Sequence, residues 1–173
     1  MKKLFTILIC AAALFSLAAC GGAGGTADAE GADNSGNAQM PNPLVLSSLE
    51  EIEELDGVSI TLPDGADSVT AIRISTDPVV DSVTFDVDGL RYVYRVARAG
   101  TLTDISGMYY EWGEPEGGDI PENAPRCFLN GEGQGIFLWY RDGHTFSIAV
   151  TEGADVLGLT SMYQLLDTGT TVS

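Results

Sequence analysis

The chain has 173 residues, 25 of them acidic against eight basic, for a formal charge of −17 at neutral pH. A chain this acidic is repelled by nucleic acid, whose binding rests on cations neutralising phosphates. It is repelled equally by the headgroups of an anionic bilayer.

The first element is a leader. Met1-Lys2-Lys3 opens the chain, and Leu4 to Ala19 is almost wholly apolar, the pattern of a secretory signal rather than a membrane span. It closes on Leu17-Ala18-Ala19-Cys20, which resembles the bacterial lipobox. That resemblance implies cleavage after residue 19 and a diacylglyceryl group on the Cys20 thiol, so residues 1–19 are expected to be a lipoprotein signal and Cys20 the lipid attachment site. Two acyl chains on one anchor suffice for stable attachment. The expected location is the extracytoplasmic face of the cell membrane. Lys2 and Lys3 would leave with the leader, so that six arginines face the 25 acids. With Cys10 removed and Cys20 lipidated, Cys127 has no partner for an intrachain disulfide. Beside Phe128 and Leu129 it reads as a buried, inert thiol.

Residues 20–41 are glycine, alanine and small polar residues without an apolar period, a flexible linker whose r.m.s. span is roughly 25 Å. A single domain is expected over 42–168, with 169–173 as a tail. "SSLEEIEELDG" carries helix punctuation: Ser47 or Ser48 as N-cap, a glutamate three residues on, and Gly57 past the end. Next, "VSITLP" and "SVTAIRIS" alternate between turn signals and predict strands. "VTFDVDGLRYVYRV" and "GIFLWYRDGHTFSIAV" predict hairpins turning at Asp88-Gly89 and Asp142-Gly143, since such a turn needs positive φ at both central residues. With a two-residue turn, Phe85 meets Tyr92 and Val83 meets Tyr94 on an apolar face. Asp86 meets Arg91, and Ser82 meets Arg95, on the opposite, solvated face. Val156, Leu159, Met162, Tyr163 and Leu166 recur at helical spacing before Gly169. The fold class is therefore α+β: one antiparallel sheet of about six strands, with a short N-terminal helix and a C-terminal helix on one face.

Between the hairpins, "EWGEPEGGDIPENAPR" (111–126) is a proline- and glycine-rich acidic loop. Glu114, Glu116 and Asp119 are its metal candidates, although the spacing matches no calcium loop and a solvated loop is the plainer reading. No nucleophile elbow, His-Glu-x-x-His pair or Cys-x-x-Cys occurs. His144, the single histidine, flanks a turn and reads as a surface residue. No catalytic residue and no cofactor are assigned.

Three stretches, "NPLVLSSLEEIEELDGVSITLP", "RYVYRVARAGTLTDISGMYYEW" and "WYRDGHTFSIAV", resemble lipid-anchored and secreted proteins of Gram-positive bacteria that carry the domain of unknown function numbered 4367. The resemblance spans about residues 42–167 and is most recognisable at Asp104-Ile105-Ser106-Gly107 and Trp139–Gly143. It implies an extracytoplasmic domain and no catalytic residue. The functional expectation is a non-catalytic surface module whose partner is a protein or an envelope polymer, anchored to the membrane through Cys20. The alternative is a carboxylate- or metal-dependent hydrolase of envelope material.

Overall fold

A computed structural model describes residues 44–116 and 120–173, all within one unit, Met40–Ser173. The leader, Cys20, the linker and the metal candidate Asp119 lie outside the described residues. Nine strands and two helices follow one another as β1 (Leu44–Ser47), α1 (Leu49–Asp56), β2 (Val58–Ile60), β3 (Asp67–Ile74), β4 (Val80–Val87) and β5 (Leu90–Arg98). They continue with β6 (Arg126–Leu129), β7 (Gly135–Arg141), β8 (His144–Val150), α2 (Val156–Gly169) and β9 (Thr170–Val172). The main sheet is antiparallel, with seven strands in the order β1-β3-β4-β5-β8-β7-β6. The fold is α+β.

Both hairpins turn where the sequence requires. Asp88 and Gly89 have φ of 52° and 80°, Asp142 and Gly143 of 50° and 75°, the left-handed pair that matches strand twist. The β4–β5 register pairs Val87 with Leu90, Asp86 with Arg91, Phe85 with Tyr92 and Val83 with Tyr94. Ser48 caps α1, its side chain accepting from the Glu51 N–H at 3.1 Å, and Gly57 ends it at φ 69°. Asp155 caps α2 through the Gly158 N–H at 2.9 Å.

Both helices cover one face of the sheet. Ile52 of α1 and Leu159, Met162 and Leu166 of α2 join Val83, Phe85, Tyr94, Trp139, Phe146 and Ile148 in the main core. Tyr94, Trp139 and Phe146 stack on one another with ring centroids 5.2–6.3 Å apart, the offset arrangement aromatic quadrupoles prefer. The Tyr94 hydroxyl, fully buried, is partnered by Thr170 Oγ1 at 3.1 Å.

Three features differ from the sequence reading. Residues 169–173 are not a tail: α2 runs through Gly169, and β9 pairs with β2 in a separate two-stranded sheet. The segment 58–63 therefore does not enter the main sheet. The second face of the sheet is not simply solvated either. Ile136, Leu138 and Ala149 are buried there beneath Leu102, Met108 and Trp112 of the irregular segment between β5 and β6. Side chains fasten that segment: Thr145 Oγ1 donates to the Thr103 carbonyl at 2.8 Å and accepts from its N–H at 3.1 Å. A long loop satisfied this way gives no periodic signal in sequence, because its hydrogen bonds go to single side chains rather than to a ladder.

Candidate functional site

The helix-facing side of the sheet is apolar along most of its length and turns polar at one end. In β3 the inward phase runs from Ala71 to Arg73, in β4 from Val83 to Asp81, in β5 from Val96 to Arg98, and in β8 from Phe146 to His144. Strand geometry puts i and i±2 on the same face, and pairing brings the four together: Arg73 opposite Asp81, Arg98 opposite His144, Asp81 opposite Val96. The C-terminal end of α1 reaches the same place and delivers Asp56. These five residues, with Val58, Val79 and Val96, line a cavity of about 210 Å3.

Arg73 is the hinge of the charge arrangement. Its Nη1 lies 2.8 Å from Asp56 Oδ2 and 3.3 Å from Asp81 Oδ1, so two carboxylates share one guanidinium nitrogen. The Asp81 side chain is only 4% exposed. Burial, followed by the hydrogen bond with Asp56, raises its pKa to about 7, against the pull of Arg73. For Asp56, burial acts upward, but hydrogen bonds from Asp81 and Arg73 and the charges of Arg73 and Arg98 outweigh it, so its pKa falls below the usual value. Two carboxyls this close cannot both ionise cheaply, and the less solvated one keeps the proton.

Asp56 also sits at the negative end of α1, with no basic residue in that last turn, an unfavourable place for a carboxylate. Arg98 compensates from the sheet: its Nη2 donates to the Asp56 carbonyl at 3.2 Å, capping the helix. Among the described residues that is the only hydrogen bond the Arg98 side chain makes, and no carboxylate lies within ion-pair distance of it. His144 is 6% exposed, which corrects its reading as a surface histidine; its phase with Phe146 and Ile148 on the inner face is the reason. Its Nδ1 meets the Asp142 carbonyl at 2.9 Å. A carbonyl can only accept, so Nδ1 carries a hydrogen, and Nε2 is buried without a hydrogen-bond partner among the described residues.

The other singled-out residues fall elsewhere. Asp86 and Arg91 share one face and form a bidentate pair, Nε to Oδ1 at 2.9 Å and Nη2 to Oδ2 at 3.1 Å, so Arg91 is a neutralised surface residue as expected. Arg95 is half-buried on the second face, donating to Ser82 Oγ at 3.3 Å and to the Ile105 carbonyl at 3.1 Å. Desolvation lowers its pKa. The Asp104-Ile105-Ser106-Gly107 turn is built around it. Ser106 N–H donates to Asp104 Oδ1 at 2.8 Å, and a Cβ on Gly107, at φ 69°, would collide with the Arg95 guanidinium. Glu114 and Glu116 are exposed, and Glu116 reaches β6 through its backbone, its N–H donating to the Cys127 carbonyl at 2.9 Å. Among the described residues no three His, Cys, Asp or Glu side chains gather as metal ligands. Cys127 is buried, and burial raises its thiol pKa to about 11, which leaves it protonated and unreactive.

Compared with known proteins, the chain matches no family model, no curated protein and no solved structure.

Proposed function

We propose that this chain is an extracytoplasmic lipoprotein, anchored through Cys20, whose domain works as a non-catalytic binding module and takes its ligand in the cavity at the polar end of the sheet's inner face. The observation that carries the binding part is the break in phase. Four inner-face positions on neighbouring strands hold Arg73, Asp81, Arg98 and His144 around a cavity of about 210 Å3, with Asp81 and His144 buried and Arg98 exposed at its rim. Buried polar groups are costly unless partnered, and a cluster of them beside an opening is the default binding-site signature. The anchor and the location rest on the Leu17–Cys20 stretch and on the resemblance described above.

One observation favours a second reading, a carboxylate-dependent hydrolase. Asp56 and Asp81 have pKa values pushed in opposite directions, the relation that separates a base from an acid in a catalytic pair. A thermal-shift screen of envelope fragments and small metabolites, run on the protein and on Arg98→Gln, separates the two. A ligand of the module raises the melting temperature by mass action, loses that effect in the variant and is recovered intact. Recovery of cleaved material, abolished by Asp81→Asn, establishes the hydrolase. If no compound depends on Arg98, the cavity is structural and the binding reading fails.

A further inference from the structure

A cavity of about 210 Å3 has room for about seven waters at ~30 Å3 each, so it takes a small group rather than a chain. Its walls are mixed. Val58, Val79 and Val96 supply apolar surface, and the titratable or charged groups facing it are Asp56 from α1, Arg73 from β3, Asp81 from β4, Arg98 from β5 and His144 from β8.

We propose, on the reading above that this cavity is the binding site, that its ligand is a small monocarboxylate with a short apolar tail, held by the Arg98 guanidinium. Three observations lead there. Both carboxylates already lie against Arg73, so an ammonium ligand would bring a further cation to a site that holds two arginines. Arg98, exposed at the rim of the cavity, spends one donor on the Asp56 carbonyl, and its Nε and Nη1 have no partner among the described residues; a guanidinium edge with free donors suits a carboxylate. The balance of arginines and aspartates sets the valence: with the Asp81 proton in place, Arg73 and Arg98 face one ionised carboxylate, leaving a single positive charge among these four groups in an otherwise acidic protein. A monoanion neutralises that surplus, whereas a dianion would leave a negative charge beside Asp56; the apolar valine wall favours a carboxylate with a short tail over a fully polar oxyanion.

Proton linkage follows. When Asp81 ionises the surplus charge vanishes, so carboxylate affinity falls as pH rises through about 7. The test uses the full chain in detergent, with the arginine Nε–Hε resonances read by NMR at constant ionic strength. Sodium propionate is titrated at pH 5.5 and pH 8.5, with ethylammonium chloride and inorganic phosphate as comparison probes. Propionate is expected to shift the Arg98 signal and to bind at least tenfold more tightly at pH 5.5. Arg98→Gln should abolish the response of the neighbouring His144 resonances, and Asp81→Asn should keep binding at pH 8.5. Equal propionate affinity at the two pH values, or binding that survives Arg98→Gln, overturns the inference. If ethylammonium or phosphate perturbs the cavity and propionate does not, the cavity stands as a binding site and the carboxylate assignment falls. If none of the three does, this inference falls together with the reading of the cavity on which it rests.

Discussion

Arg141 and Arg98 both extend from the inner face of the sheet, one from β7 and one from β5, and they end in opposite situations. Arg141 Nη1 donates to the Asp167 carboxylate at 2.7 Å and to its carbonyl at 2.6 Å, and Nη2 donates to the Thr170 carbonyl at 2.7 Å. It clasps the end of α2 at the point where the chain enters β9. Among the described residues the Arg98 side chain makes a single hydrogen bond, to the carbonyl that ends α1, and otherwise lies exposed at the rim of the cavity. The same side chain on the same face is thus structural where its donors are used and available where they are not. Residue type alone does not separate the two arginines; the number of donors left over does.

The largest effect should come from breaking the clasp. Arg141→Ala removes hydrogen bonds to a carboxylate and to two carbonyls, each charge-assisted, for an expected loss of roughly 2–3 kcal/mol of stability in a denaturant melt. A loss near zero would place Arg141 in the same class as Arg98 and dissolve the contrast. The change at the cavity depends on pH. The folded-state pKa of Asp81, about 7, lies above its ordinary value of 3.8, so the stability tied to its proton is fully present below about pH 4 and is lost as pH rises through 7. Asp81→Asn cannot ionise and should escape that loss. Relative to the unmodified protein it should gain roughly 1–2 kcal/mol between pH 5 and pH 8, read from melts at both. An unchanged difference would mean that Asp81 is ionised throughout.

Arg98→Gln should cost less than about 1 kcal/mol, the loss of one partly exposed cap. Its melting curve should stay near that of the unmodified protein while propionate binding disappears. A stability loss as large as that of Arg141→Ala would make Arg98 a second clasp rather than a ligand group. The smallest change is expected at the outer pair. Arg91 is 64% exposed in its side chain, and solvent screens such pairs. A double-mutant cycle on Asp86 and Arg91 should return a coupling smaller than any of the effects above.

Much of the frame was legible because it rests on local chemistry. Asp-Gly turns fix hairpin register, Ser48 and Gly57 mark α1, and the 3.6-residue recurrence from Val156 marks α2. The short strands were not. β1, β6 and β9 have three or four residues each, too few for a period, and exist because a neighbour pairs with them. β9 has the look of a tail in the sequence for that reason. The cover over the second face was hidden too, since Thr145 and Arg95 hold it through isolated bonds to a loop backbone. The cavity was half legible. Following the inward phase two residues past Val83, Val96 and Phe146 reaches Asp81, Arg98 and His144, and from Ala71 it reaches Arg73. What the sequence does not carry is the pairing of β5 with β8 and the place where α1 ends, and without those the five polar residues are scattered across the chain.

The surplus charge that distinguishes the Arg98 cavity from the Arg141 clasp exists only while Asp81 holds its proton at neutral pH. A pH titration of the Asp81 side-chain carboxyl carbon by 13C NMR measures this directly. The expected midpoint is near 7, moving down in Asp56→Asn, where the neighbouring carboxylate is gone. A midpoint near the ordinary value of 3.8 would mean that both aspartates are ionised and balanced by their two arginines. The polar end of the sheet would then be an ion-pair clasp like the other.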